Sequence, residues 1–352
     1  MPTIRTGWTD LNNWPMTEKN VTYSVIVPVY NRPAEVEELL DSLLRQTARN
    51  FEVIIVEDGS TIPCGDIVDK YVAKGLNARY FPKGNEGRSI ARNYGLERAS
   101  GEYFIFFDSD CVIPADYFSK LDKFRKSAPY DAFGGPDAAD SSFTTTQKAI
   151  NFAMTSFLTT GGIRGGRVSL EKFTPRTFNM GFSREVYDKV GGFREMFSED
   201  IDMSTRIRLA GFTIGLYPDL PVYHKRRVDF RKFFRQVYVF GMSRITLKLL
   251  YPDSMKLVHW LPAVFVIGVV AMVLLAIFVS PWWLAPLAGY LFMIWQTALV
   301  STSSPVIAFK AIPASLIQLG GYGCGFLKAY FTKIICRRGR DESEEIEMRR
   351  GK

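Results

Sequence analysis

The run Glu102-Tyr-Phe-Ile-Phe-Phe-Asp-Ser-Asp110 decides how the rest of this chain is organised. Residues 103–107 form a short apolar run rich in aromatics, the pattern of a strand buried on both faces. The run stops at two carboxylates with one small residue between them. In open α/β sheets, ligands bind just beyond the carboxyl ends of the strands, so Asp108 and Asp110 fall where a site is expected. Asp-x-Asp on an extended chain brings two hard oxygen ligands close together, which suits Mg2+ or Mn2+ and leaves positions for substrate phosphates. Taken alone, Asp-Ser-Asp is an ordinary polar turn that closes a strand. The neighbouring stretches decide between the two.

On the N-terminal side, residues 23–30 and 51–56 read as strands. Between them, Val36, Leu39, Leu40, Leu43 and Leu44 repeat at helical spacing over 34–46, with Pro33 suited to the first turn. A short helix over 66–74, a strand over 78–81 and a glycine-bearing loop entering a helix over 84–95 complete the approach to the central run. A helix over 114–126 follows it. Strands alternating with helices in this way imply right-handed βαβ units and an α/β fold with a mostly parallel, Rossmann-like sheet. Further on, the pattern predicts a sheet edge over 132–136, a helix over 147–158, a flexible basic loop over 161–167, helices near 184–190 and up to 208, and a strand near 213–217.

The chain has 352 residues and is 47% hydrophobic, enough for one sizeable domain with additions. Its net charge of +8 points to an anionic partner. Two histidines, His224 and His259, exclude a His-rich metal centre. The four cysteines are widely spaced, which reads as reduced thiols with neither zinc nor disulfides. The first 20 residues are polar, with no apolar run of a signal peptide.

Beyond residue 225 the pattern changes. Over 226–250, Arg226, Arg227, Arg231, Lys232, Arg235, Arg244 and Lys248 interleave with Phe230, Phe233, Phe234, Val237 and Phe240. This reads as a basic amphipathic helix on an anionic membrane surface, against the plainer reading of a core helix with a solvated face. Residues 260–279 and 282–300 carry no charge and are each close to the ~20 residues needed to span a bilayer. A third stretch, 311–327, is weaker, and its Pro313 and four glycines are expected to loosen it. Positive charge on both flanks places both in the cytoplasm. The expectation is therefore two spans, with the third segment re-entrant, interfacial or a third span.

Four clusters can carry chemistry. Asp58, past the second strand, can accept hydrogen bonds from a base N–H or a ribose hydroxyl, although Asp-Gly-Ser is also a common turn. Arg88, Arg92 and Asn93 lie at a helix start suited to phosphate, or on solvated helix surface. Asp108 and Asp110 offer the cation site. Glu199 and Asp200, after a double-glycine turn, are a separate acid pair at a helix start, where acidic residues also serve the helix dipole. Sugar transfer from a nucleotide needs a cation to neutralise the leaving diphosphate and a carboxylate off the metal to take the acceptor's proton. The four clusters in this order supply both.

With these residues in hand, the chain resembles the inverting GT-A glycosyltransferases of family two, a group of bacterial cell-surface sugar transferases, over roughly residues 23–224. The resemblance rests on Ser24-Val-Ile-Val-Pro-Val-Tyr-Asn31, Val56-Glu-Asp-Gly-Ser60, Asn85-x-Gly87 with Ala91-Arg-Asn-x-Gly95, Asp108-x-Asp110, and Gly191-Gly-Phe with Glu199-Asp-x-Asp-x-x-x-Arg206. It implies that Asp58 holds the nucleobase, that Arg92 contacts the nucleotide, and that Pro28, Tyr30 and Glu57 line the same pocket. It further implies that Asp108 lies near ribose and diphosphate, that Asp110 ligates the metal and that Asp200 is the general base. The usual Asp-Asp before Gly-Ser is Glu57-Asp58 here. The Gln-x-x-Arg-Trp motif of processive synthases is missing from 226–241, which implies one sugar per encounter. Polyprenyl-phosphate sugar synthases share the first three motifs but not the later cluster, and they are the alternative. A binding-only membrane partner protein would be expected to lack the metal motif or the base.

The implied organisation is an N-terminal extension (1–20), a GT-A catalytic domain (21–225), a basic interfacial helix region (226–256), a membrane region (257–332) and a charged tail (333–352). The implied partners are a divalent cation, a nucleoside diphosphate sugar (a UDP-sugar ahead of a GDP-sugar), a lipid-linked or other saccharide acceptor, and membrane lipid. Because the basic residues cluster beside the apolar segments, nucleic acid is not among them. The implied location is the cell inner membrane with the catalytic domain in the cytoplasm.

Overall fold

The computed structural model describes residues 22–138, 143–161, 173–224 and 229–336. The expected N-terminal extension, most of the basic loop 161–167, Arg226, Arg227 and the tail beyond residue 336 lie outside the described residues. The soluble part runs β1 (Tyr23–Val29), α1 (Pro33–Leu44), β2 (Phe51–Asp58), α2 (Gly65–Ala73), β3 (Ala78–Lys83), α3 (Arg88–Leu96), β4 (Tyr103–Phe106), β5 (Cys111–Val112), α4 (Tyr117–Ser127), β6 (Ala132–Gly134) and β7 (Asp137–Ala138). It continues with α5 (Thr145–Thr155), α6 (Phe157–Thr160), β8 (Met180–Ser183), α7 (Arg184–Val190), α8 (Glu199–Leu209), β9 (Ile214–Leu216) and β10 (Val222–His224). Four longer helices follow: α9 (Phe230–Leu250), α10 (Leu261–Phe278), α11 (Ala285–Thr302) and α12 (Pro305–Ala329).

The main sheet has the order β3-β2-β1-β4-β8-β6-β9. It is parallel except that β8 runs antiparallel between β4 and β6. Alternate residues of β1 and β2 face opposite layers. Val25, Val27, Val53 and Ile55 pack with Val36 and Leu40 of α1 and Phe118 of α4. Ile26, Ile54 and Val56 pack with Ala91 of α3, Val186 of α7 and Met203 of α8. Burial on both faces is why these strands read as continuous apolar runs. Each fully buried aliphatic side chain contributes about 1.5–3 kcal/mol.

A second sheet, β5-β10-β7, closes over the carboxyl end of β4. Its register pairs Cys111 with His224 and Val112 with Tyr223. The Asp108–Asp110 step is therefore pinned from both sides, by β4 in the main sheet and by β5 in the small one. The amide of Cys111 also donates to the Asp108 carbonyl at 3.1 Å.

Two features of the C-terminal helices bear on the sequence reading. The third apolar stretch lies within one continuous 25-residue helix, α12, that includes Pro313. Its glycines are where other helices cross it. A Cβ at Gly321 would sit 2.5 Å from Val237 Cγ2, and one at Gly325 would sit 2.0 Å from the Tyr238 carbonyl oxygen. On the other side of the crossing, a Cβ at Gly241 of α9 would sit 2.0 Å from the Tyr322 carbonyl oxygen. Small residues let helix backbones approach closely, so the glycines tighten this segment. Secondly, α9 is enclosed along much of its length, with Phe233, Val237, Met242, Ser243, Arg244 and Ile245 buried. Arg231, Lys232, Phe234 and Arg235 are exposed near its start. Arg244 does not join that basic face. It is buried against the ring of His259, in the segment just before α10.

Two segments, Leu257–Phe278 and Pro281–Thr302, are long and apolar enough to cross a membrane. Their apolar side chains, among them Val264, Ile267, Leu274 and Ile277, are largely exposed.

Candidate active site

The carboxyl ends of β1, β2 and β4 share one edge, and the sequence-identified residues collect there. Asp58 ends β2. One of its oxygens accepts from Lys83 Nζ and from the amide of Glu86, each at 3.0 Å, and the other accepts from the amide of Gly87 at 2.8 Å. Burial would lower the Lys83 ammonium's affinity for its proton, but hydrogen bonds and charge from Glu86 and Asp58 outweigh it and hold the group charged. Asp58 thus shapes the loop leading into α3. Gly59 beside it has φ +72°, and a Cβ there would lie 2.5 Å from the Asn85 nitrogen. Only glycine fits that approach.

Glu57, on the opposite face of β2, is turned away from this edge. Its carboxylate accepts from the Cys64 amide at 2.8 Å and the Tyr80 hydroxyl at 3.3 Å, and it also pairs with Ser60. It is buried and holds the turn after β2. The strand's period of two sends adjacent carboxylates to opposite sides. Pro28 of β1 is half-buried at the same edge, and Tyr30, just past β1, is exposed.

Arg92 lies on α3. It is fully buried. Its guanidinium donates to Asp108 Oδ1 at 2.7 Å and to Glu199 Oε1 at 3.0 Å. Arg92, for which the resemblance implies a nucleotide contact, bridges the Asp-x-Asp step and the Glu-Asp pair. Arg88, one helical turn earlier, binds Glu199 at 2.9 Å. Glu199 is thus held by two guanidiniums and is 2% exposed. That arrangement makes Glu199 an anchor, while the Asp200 side chain beside it stays 15% accessible.

Asp200 accepts from the Ile201 amide at 2.8 Å and from Arg176 at 3.1 Å. The residue before the pair, Ser198, has φ +63°, the left-handed region that is uncommon for any residue but glycine. At a helix start its hydroxyl would ordinarily cap its own helix. Here it bonds Ser243 of α9 at 2.8 Å. The rest of the motif is scaffolding. Asp202 binds Arg206 at 2.9 Å, Arg194 at 3.2 Å and the Tyr251 hydroxyl at 2.6 Å. Burial first, and then that hydrogen bond, push the Tyr251 phenol up to about 12. Arg206 in turn donates to the carbonyls of Val190 and Gly192 and fixes the double-glycine turn.

Asp108 and Asp110 are partly exposed, with side chains 30% and 15% accessible. Their oxygens are the donor type that Mg2+ and Mn2+ take. Among the described residues, no group of three or more His, Cys, Asp and Glu side chains could hold a metal by itself. The pair fits a cation that keeps one or two carboxylates and completes its shell with phosphate oxygens, as Mg2+ commonly does.

Two residues here escaped the sequence reading. Arg32, in the turn after β1, donates to Asp110 Oδ2 at 2.6 Å, and Arg176 reaches Asp200. Arg32 lies just past β1, and its meeting with Asp110 depends on β1 lying beside β4. Arg176 lies in a stretch with no motif to read.

The family model for glycosyl transferase family 2 matches residues 24–191. The glycosyltransferase GlyA of Streptococcus pneumoniae serotype 4 is 40% identical over 109 residues, 31% of this chain and 15% of that protein. An uncharacterized glycosyltransferase, EpsJ of Bacillus subtilis, is 37% identical over 111 residues, 32% of each. The matches thus span a third or less of these relatives' own length. The mannosyltransferase PcManGT from Pyrobaculum calidifontis, solved with GDP-Man and Mn2+, aligns over 90% of this chain and 88% of that one, with a TM-score of 0.53 and 19% identity. This is a likeness of fold. Residues 24–191, a little under half of the chain, are thus similar to glycosyl transferase family 2 domains.

Proposed function

We propose that the chain is a membrane-anchored glycosyltransferase that moves one sugar, with inversion, from a nucleoside diphosphate sugar to a hydroxyl of a lipid-linked saccharide at the cytoplasmic face of the inner membrane. The observation that carries this reading is the Arg92 bridge. It ties the carboxylates suited to the donor's diphosphate to the acid pair suited to the acceptor. Asp200 would take the proton from the attacking hydroxyl, while Glu199, locked by Arg88 and Arg92, holds the start of α8 in place. Asp108 and Asp110 would hold a Mn2+ or Mg2+ ion, and that ion would neutralise the leaving diphosphate. The ligands of the Pyrobaculum mannosyltransferase, GDP-Man and Mn2+, are in keeping with a donor and cation of this kind. For the donor here we favour a UDP-sugar. Helices α10 and α11 would form the anchor, with the exposed basic start of α9 against anionic headgroups.

The test is release of nucleotide from a panel of UDP- and GDP-sugars by the detergent-solubilised protein with Mn2+. Metal-dependent release from one donor, lost in Asp110→Ala, is the expected result. Asp200→Asn should lower transfer by at least 100-fold with nucleotide binding retained. No release from any donor, together with no nucleotide binding by calorimetry, would overturn the reading.

A further inference from the structure

We propose that the Arg32 guanidinium and a divalent cation compete for the Asp110 carboxylate, so that Arg32 sets how tightly the cation is held. The inference rests on the cation role given above to Asp110. The contact is a built one. Arg32 and Asp110 lie 78 residues apart, and Arg32 Nη1 sits 2.6 Å from Asp110 Oδ2. The turn that presents Arg32 is held from the side of the neighbouring strand. Asn31 has φ +52°, a conformation that costs an ordinary residue energy and persists where its surroundings impose it. Those surroundings are the loop after β2. The Asn31 amide donates to Ser60 Oγ at 2.7 Å, and Asn31 Oδ1 accepts from the amides of Thr61 and Ile62 at 2.8 and 3.1 Å. Pro33 then starts α1 and restricts the backbone of Arg32 before it.

The electrostatics follow from this placement. A guanidinium beside a carboxylate stabilises its charged form much as a cation would. A dication on Asp110 therefore has to displace a positive charge or sit beside one. The Arg32 side chain is 35% exposed, so it has room to swing off. Arg92 does the comparable job for Asp108 from a fully buried position and cannot leave. Of the two aspartates, Asp110 is the one whose positive partner can give way. A donor diphosphate would supply negative charge for both the cation and the released guanidinium, whose planar fork matches phosphate oxygens. Entry of the cation would then be tied to arrival of the donor.

The experiment is Mn2+ titration of the full-length protein in detergent without nucleotide, read by the loss of free-ion EPR signal, for the wild type, Arg32→Gln, Arg32→Lys and Asp110→Asn. Arg32→Gln should bind Mn2+ about tenfold more tightly, the least effect a neighbouring opposite charge has on an aspartate's proton affinity. Arg32→Lys keeps the charge and should stay close to the wild type, which separates charge from any damage to the turn. Mn2+ binding lost in Asp110→Asn but unchanged or weaker in Arg32→Gln overturns this inference alone. Mn2+ binding that survives Asp110→Asn, or is missing from the wild type and Arg32→Gln alike, overturns the cation reading of Asp110 and this inference with it.

Discussion

Arg92 in the sheet domain and Gly325 in α12 are both enclosed, and different physics encloses them. Around Arg92 the chain buries charge, and each charge is met by another: Asp108 and Glu199 by Arg92, and Glu199 again by Arg88. Around Gly325 it buries backbone, and the fit depends on there being no side chain at all. The first arrangement tolerates little loss of a partner, because a stranded buried ion is costly. The second tolerates little gain in volume. Ser198 and Ser243 join the two regions through one hydrogen bond between hydroxyls.

The largest effect expected from this contrast is at Arg92. Arg92→Met keeps the length of the side chain but leaves Glu199 buried with Arg88 as its remaining guanidinium partner. It should cost about 3–5 kcal/mol of stability, read by thermal or denaturant unfolding of the solubilised protein. A variant that melts like the wild type would show that the bridge does not support the fold. Next in size is Gly241→Leu, which places carbon against the Tyr322 carbonyl. Overpacking of this kind costs about 1–3 kcal/mol. Hydrogen exchange should show faster opening of α9 and α12 with the amides of β1, β2 and β4 still protected. Equal loss of protection in the strands would mean that the two regions unfold as one unit, and the contrast would fail.

Smaller is Ser243→Ala, which removes the partner of the Ser198 hydroxyl. A cost of about 1 kcal/mol is expected, with exchange at Glu199 and Asp200 rising before exchange in the strands. No local change there would mean that α9 does not steady the acid pair.

The smallest effect is pH-dependent and belongs to the sheet's other end. Burial would raise the Glu52 carboxyl, but donors from Ser24, Ser100 and Arg79 outweigh it and hold the group below its usual range. A carboxylate lowered in the folded state adds stability that is complete above its unfolded value of about 4.3 and is lost as pH falls through the folded value. Glu52→Gln should therefore flatten the acid limb of the stability profile below about pH 4.3. An unchanged limb would show that other carboxylates govern it.

Much of the fold could be read locally. The apolar runs of β1, β2 and β4, the helical spacing of α1 and the two uncharged segments near the C-terminus each declare themselves within a few residues, because side-chain period and segment length are local properties. The carboxylates at the ends of β2 and β4 were legible for the same reason, since strand ends in a parallel sheet share one edge.

What the chain order does not contain is who meets whom across that edge. Arg92 meets Glu199 over 107 residues of separation, and Arg32 meets Asp110 over 78. Both pairings follow from β1 lying beside β4 and from α8 packing on the layer of α3, which are tertiary facts. The glycines of α12 teach the same lesson in the opposite sense. By itself a glycine-rich helical stretch reads as loose, and only the crossing with α9 turns missing side chains into close contact. Local pattern sets the periodicities, the span lengths and the kinds of chemical group at the strand ends. The tertiary structure alone decided which charges neutralise one another and which small residues carry a crossing, because those depend on distances between segments that no local pattern encodes.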